Sequence, residues 1–362
     1  MTNSWTKSRS HTARWTVPTA VATLAALVMA GAAVPATASP VASPSLSSSL
    51  SSPASSTVSV VAPVHGRVDP DALRRALAGL PDAYVRGAMV SVTGRDGRWS
   101  GTAGEWRGPV EEDFAIGSVT KLFTSAVVLQ LVGEGRLSLD DTVQEVLPDL
   151  LPEGYEPITL AQLLSHTSGL QQPSCVRPGT PVEVVQSAVS CGTPTTPGAT
   201  VQYNGINYFI AGLVIEKVTG RTYAEELDRR VVRPLGLRHT RLPADDWAWA
   251  EGGLVSNAGD LRRFATALTR GGLLRPAERK LLFTTPPLSE ARFSYGGLMT
   301  VRLDNGVVVW GKTGTNHGYT SGVFATPGLD RVVVYSTLPT GKDVDEEVKR
   351  VKGIAEAAFT GA

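Results

Sequence analysis

The sequence predicts an α+β fold, in which an antiparallel sheet built from both ends of the chain is flanked by terminal helices and interrupted by a mostly helical insertion. Three observations lead there. Strand-like runs occur after Gly87 and again between Tyr295 and Pro339. Helical patterns stand outside both runs. Between them lie helical spacing and Pro-rich loops, so one sheet drawn from the two ends has to accommodate a helical insert.

In chain order, the first segment stands apart from that fold. Lys7, Arg9 and Arg14 precede an apolar stretch from Val17 to Val34, and the small-x-small site Ala36-Thr37-Ala38 follows. That order is a secretory signal peptide over residues 1–38. The alternative, a membrane anchor, is disfavoured because Pro18 and Pro35 break the run. With no second stretch of ~18 apolar residues, the sequence predicts a secreted, soluble protein without membrane association after cleavage. Residues 39–65 begin SPVASPSLSSSLSSPASS. They lack the large apolar side chains that offset ordering entropy, and read as a linker.

The folded region is expected over residues 66–362, with the helical insert at about 136–254. Asp69 and Pro70 supply a cap and a first turn for a helix through Leu77. GAMVSVTGRDGRWSGTAGE then reads as two strands around Asp96-Gly97. After Gly117 a long helical pattern runs to Gly133 and Gly135. Near the C-terminus, consecutive antiparallel strands are separated by turns at Asn305-Gly306 and Pro327-Gly328. DVDEEVKRVKGIAEAAF closes the chain as a helix.

Composition removes some functions. The net charge of +1 and the lack of a basic run interleaved with aromatics give no support to a nucleic-acid partner. A monomer is expected. The two cysteines, Cys175 and Cys191, read as a disulfide in an exported protein, worth ~3 kcal/mol in the chain-entropy model. Two unpaired thiols are the alternative.

The chemistry begins at GSVTK. Ser118 and Lys121, at i and i+3 of a helix, project from one face with Cβ atoms ~5–6 Å apart. Serine needs a neighbour to take its proton. Lysine can serve if burial or positive charge destabilises its ammonium. Gly117 is read as an exposed approach to this helix. The spacing alone is weak, because Ser4 and Lys7 repeat it in the leader. Downstream, Lys312-Thr313-Gly314 follows a β-branched run. A strand there offers backbone groups to an extended ligand, with Lys312 for a carboxylate, Thr313 as a hydroxyl and Gly314 for close approach. Other arrangements are absent from the sequence: Gly-x-Ser-x-Gly, His-Glu-x-x-His and Gly-x-Gly-x-x-Gly. His166, in LLSHTSGL, reads as a loop histidine bonded to its local backbone.

Together the stretches FAIGSVTKLFTSAVVLQLVGEGRLSLDDTVQEVLP, ITLAQLLSHTSGL, PGATVQYNGINYFIAGLVIEKVTGRTYAEEL, VVRPLGL and GKTGTNHGYTSGVFATPG carry a resemblance. The chain resembles the serine β-lactamase and penicillin-binding protein superfamily. Its branch is that of class C β-lactamases and secreted D-alanyl-D-alanine carboxypeptidases, above all the soluble Streptomyces-type enzymes. The resemblance implies that Ser118 is the acylated nucleophile, Lys121 its proton-handling partner and Tyr203 the acid–base tyrosine. It also implies an oxyanion hole from the Ser118 and Thr315 backbone N–H groups, and a carboxylate site at Lys312, Thr313 and Gly314. No metal or organic cofactor is implied. The substrate would be a peptidoglycan stem peptide or a β-lactam, with ester hydrolysis as a variant reaction.

One motif departs. The family's Tyr-x-Asn reads Tyr203-Asn204-Gly205 here, so the amide that meets the motif lysine and the substrate's acyl carbonyl is missing. Such a loss is worth about 1–3 kcal/mol. It leaves open a non-catalytic scaffold that binds wall peptide or a partner protein. Asn204 and Asn207 are the candidates to replace the amide, although a one-residue shift changes a side chain's direction.

Overall fold

The computed structural model describes residues 67–95, 97–171 and 175–360. The signal peptide and the linker read from the sequence lie outside them. Helix α1, Pro70–Leu77, starts as its sequence requires: the Asp69 carboxylate accepts from the backbone N–H groups of Asp71 and Ala72 at 2.9 and 3.0 Å. Strands β1, Val85–Gly94, and β2, Gly97–Gly104, form the expected hairpin. A short strand β3, Phe114–Ala115, leads through a single 3-10 turn at Gly117–Val119 into helix α2, Thr120–Gly133.

The middle of the chain is helical. Short helices at Val143–Val146 and Leu160–Leu164 precede α3, Pro181–Cys191, and α4, Ile206–Thr219. Cys175 and Cys191, 16 residues apart, are joined by a disulfide that ties the end of α3 back to the preceding loop. A four-residue helix α5, Trp249–Gly252, is followed by β4, Val255–Ser256, which pairs with β3. Helices continue past 254, in α6, Ala258–Arg270, and a short helix at Pro276–Leu281. Then come β5, Met299–Arg302; β6, Val308–Asn316; β7, Tyr319–Ala325; β8, Arg331–Pro339; and α7, Val344–Phe359.

The main sheet is antiparallel in the order β2-β1-β8-β7-β6-β5. Its centre joins the two ends of the chain, with Val90 opposite Tyr335. Both faces are covered, so β1 and β8 read as nearly continuous apolar runs rather than as alternation. On one face Ala88, Val90, Val333 and Tyr335 pack against Leu73 and Leu77 of α1 and Ile354 and Phe359 of α7. On the other, Met89, Val323 and Val334 join a larger core with α2, α4 and α6, where Phe123 stacks on Phe264 at 3.7 Å between centroids.

Helix α2 is buried on every side from Thr120 to Leu129. A helix without a polar face is a central strut, and its first turn is held by the same core. Among the described residues no helix is long and apolar enough to cross a membrane.

Candidate active site

Ser118 sits in the turn that opens α2, and strand β6 crosses that turn at backbone distance. Gly117 has a φ of +48°, and a Cβ there would lie 2.4 Å from the Thr315 nitrogen. A Cβ on Gly314 would lie 2.1 Å from the Ile116 oxygen and 2.4 Å from the Ser118 nitrogen. Neither position admits a side chain, so the glycines let the two segments touch. The contact brings the stretches carrying the Ser118 and Thr315 amides together. Gly117, expected to be an exposed approach, is buried instead beneath β6.

Lys121, one turn along α2, is fully buried. Its Nζ donates to Ser118 Oγ at 2.9 Å and to the backbone carbonyl of Glu251 at 2.8 Å, and it meets the Glu251 carboxylate. Burial pushes the ammonium down, but the Glu251 carboxylate and, behind it, Tyr203 outweigh it, so the net shift is upward. This corrects the expectation of a lysine destabilised into a base. The contacts of Lys121 favour the ammonium, with Nζ donating to the serine.

Lys312 on β6 is also buried, with its Nζ donating to the Thr313 carbonyl at 3.0 Å. Burial pushes its ammonium down and the nearby Lys121 adds to that, against the pull of Tyr203; the net shift is downward. The ring of Tyr203 lies between the two cations, with its centroid 5.2 Å from Lys121 Nζ and 4.8 Å from Lys312 Nζ. The phenol oxygen is buried and makes no hydrogen bond of full geometry, although Ser118 stands close enough to favour its ionised form. Burial pushes the phenol up, but Lys121 and Lys312 together overcome it and bring Tyr203 below the usual tyrosine range. Two ammonium groups thus favour phenolate beside a serine hydroxyl.

The other expected residues fall nearby with lesser contacts. The Thr315 hydroxyl pairs with Thr320 at 3.3 Å, and the Thr313 hydroxyl rests 3.9 Å from the Met299 sulfur. Asn204 and Asn207 do not replace the missing amide. Asn204 donates to the Leu170 carbonyl at 2.7 Å and accepts from the Ile206 N–H; Asn207 accepts from the Ser168 hydroxyl at 2.6 Å.

His166 is buried, and its Nδ1 accepts from the Asn204 backbone N–H at 3.1 Å, 38 residues along the chain. Its partner is therefore not local. Its ring packs 4.4 Å from that of Tyr203 and stays neutral, because burial and the charges of Lys121 and Lys312 all push its pKa well down. It forms a wall behind the tyrosine.

Glu251 was missed by sequence reasoning. Its signal was slight: one carboxylate inside the apolar stretch WAWAEGGLV. Short helix α5 is pinned where it must be. The Thr124 hydroxyl donates to the Ala250 carbonyl at 2.7 Å, the Leu254 N–H donates to Thr120 Oγ1 at 3.2 Å, and Asn316 Nδ2 at the end of β6 donates to the Gly252 carbonyl at 3.1 Å.

Comparison with known proteins gives consistent results. The sequence model of the Beta-lactamase family matches residues 73–356. Penicillin-binding protein 4 of Amycolatopsis lactamdurans is 33% identical over 134 residues, covering 35% of each chain. Protein flp of Staphylococcus aureus is 32% identical over 138 residues, covering 35% of this chain and 27% of its own. The aligned part therefore spans about a third of the length of these curated relatives. Among solved structures, a D-stereospecific amidohydrolase from a Streptomyces species superimposes with a TM-score of 0.71 at 31% identity, covering 81% of this chain and 99% of that one. A D-amino acid amidase from Ochrobactrum anthropi SV3 gives a TM-score of 0.70 at 21% identity over 79% and 98% of the two chains, a likeness of fold.

Proposed function

The chain belongs to the Beta-lactamase family, and from that premise we propose that it is a serine acyl-transfer hydrolase acting on D-configured amides, with peptides ending in D-Ala-D-Ala as the leading substrate class. One observation carries the reading. Ser118 Oγ receives a 2.9 Å hydrogen bond from a buried ammonium, beside a tyrosine that two cations push toward phenolate.

In this mechanism Tyr203 takes the proton from Ser118 as Oγ attacks the carbonyl carbon. Lys121, kept charged by Glu251, stabilises the developing alkoxide by its hydrogen bond. The carbonyl oxygen becomes an oxyanion facing the Ser118 and Thr315 backbone amides. The C–N bond breaks, the amine leaves with the proton held by Tyr203, and Ser118 carries the acyl group. Water then attacks the ester and gives a proton to Tyr203, which passes it to Ser118 Oγ as the carbon–oxygen bond breaks, freeing the acid and restoring the serine. Lys312 is the cation for a carboxylate on the leaving group.

A second reading keeps the chemistry and shortens the substrate to a D-amino acid amide. The solved D-stereospecific amidohydrolase, matched over 99% of its length, favours it, as does the absence at Gly205 of an amide that would meet a peptide's acyl carbonyl. β-Lactam and ester hydrolysis run through the same acyl-enzyme. Export is part of the proposal: secreted protein should begin at Ser39, and an N-terminus upstream of it would exclude cleavage there.

The test is covalent labelling of wild type and Ser118→Ala with a fluorescent penicillin. Label on the wild type alone supports the nucleophile, and label on both or neither overturns it. D-alanine release from an acyl-D-Ala-D-Ala peptide, set against ammonia release from D-amino acid amides, then chooses between the two readings.

A further inference from the structure

We propose that Glu251 is a positioning residue that takes over the place of the amide missing at Gly205, clamping the Lys121 ammonium against Ser118 Oγ with both its carboxylate and its own backbone carbonyl. The inference rests on Ser118 being the nucleophile.

The hydrogen-bond inventory supports this. An ammonium has three N–H donors. Lys121 spends them on Ser118 Oγ, the Glu251 carbonyl and the Glu251 carboxylate. A complete set of partners fixes the direction of all three, so the donor to the serine is aimed rather than statistical. The position after Asn204, where the family places its amide, has no side chain to give, and Asn204 and Asn207 are committed to Leu170, Ile206 and Ser168. Glu251 reaches Lys121 from α5, 130 residues beyond it in sequence. Contacts to Thr124, Thr120 and Asn316 hold its helix against α2 and β6.

The replacement is not chemically equivalent. A neutral amide can hydrogen-bond an amine or an ammonium, whereas a carboxylate favours the ammonium. The charged and titratable groups facing Lys121 are Glu251 from α5, Tyr203 from the loop before α4, Tyr208 from α4 at 5.5 Å between Nζ and ring centroid, Lys312 from β6, and His166 from its loop. Glu251 is the carboxylate that raises Lys121, so its removal leaves Tyr203 as the remaining group that offsets burial.

Glu251→Ala, Glu251→Gln and the double variant Glu251→Ala with Gly205→Asn test this in the mature protein. Two readouts are needed: the rate of penicillin acylation across pH, and the titration of Lys121 followed by the ε-carbon resonance of isotope-labelled lysine. Glu251→Ala should acylate about tenfold to a hundredfold more slowly near neutral pH, with the Lys121 titration moved down. Glu251→Gln, which keeps the shape and an acceptor oxygen, should recover part of the rate while its Lys121 titration stays low. Adding Gly205→Asn to Glu251→Ala should recover about tenfold. An unchanged acylation profile in Glu251→Ala, or no recovery in the double variant, overturns the role. Should the wild type itself not acylate, the nucleophile assignment fails separately. The Lys121 titration needs no turnover and still decides the clamp: unmoved in Glu251→Ala, or in Glu251→Gln where the alanine variant does not fold, it overturns the proposal.

Discussion

Lys121 on α2 and Lys312 on β6 are both buried, both cationic partners of Tyr203, and shifted in opposite directions. Burial acts on the two alike. The difference is one carboxylate in contact: Glu251 touches Lys121, while Lys312 donates to the Thr313 carbonyl and meets Tyr203, with Glu251 acting on it only from a distance. A lysine's chemistry in this site is therefore set by what lies against it, more than by its motif or its depth. One strand and one helix deliver two ammonium groups to one phenol, and a second helix, α5, sets a counter-charge against the helical one.

Removing each lysine should break this symmetry in a characteristic way. Lys121→Met deletes the cation and leaves the Glu251 carboxylate buried without its partner. It should slow acylation about 10²- to 10⁴-fold and cost about 3–5 kcal/mol of stability, read by penicillin labelling and denaturant unfolding. The sign with pH follows. Lys121 is raised, so its stabilising contribution is complete below the ordinary lysine value and is lost as pH rises through its folded value.

The disulfide serves as a control outside the site. Cys175→Ser with Cys191→Ser should cost ~3 kcal/mol in thermal or denaturant unfolding, yet leave the titrations of both lysines where they are. A shift in either would mean that α3 reaches the site.

Lys312→Met should have the smaller and opposite effect on stability. Lys312 is lowered, so the folded protein binds its proton less well than the unfolded chain; the cost is full below its folded value and fades as pH rises through the interval up to the ordinary lysine value. Its removal should raise the melting temperature by about 2–4 °C. kcat/KM should fall about tenfold to a hundredfold for substrates with a terminal carboxylate, and less for neutral esters. Equal losses on both would deny Lys312 a role in binding the carboxylate.

Much of the fold was legible because its signals are local. Asp69-Pro70 caps a helix, Asn305-Gly306 turns a hairpin, and a sheet covered on both faces writes its central strands as apolar runs. Ser118, Lys121, Tyr203 and Lys312 were legible as motifs, and the structure gathers them. What escaped is long-range. Glu251 reaches Lys121 across 130 residues from a four-residue helix, and His166 takes a backbone N–H from 38 residues away. Gly117 looked exposed because nothing near it in sequence announces β6. Such partners are chosen by tertiary packing, of α2 with α5 and β6 and of the His166 loop with the residues before α4, and no spacing rule within one segment encodes them.

The central claim, that a carboxylate rather than depth separates the two lysines, is tested most directly by titrating both in the wild-type protein through their ε-carbon resonances, assigned with Lys121→Arg and Lys312→Arg. The account predicts Lys121 above the ordinary lysine range and Lys312 below it. Two lysines displaced in the same direction, or Lys121 below Lys312, would contradict it.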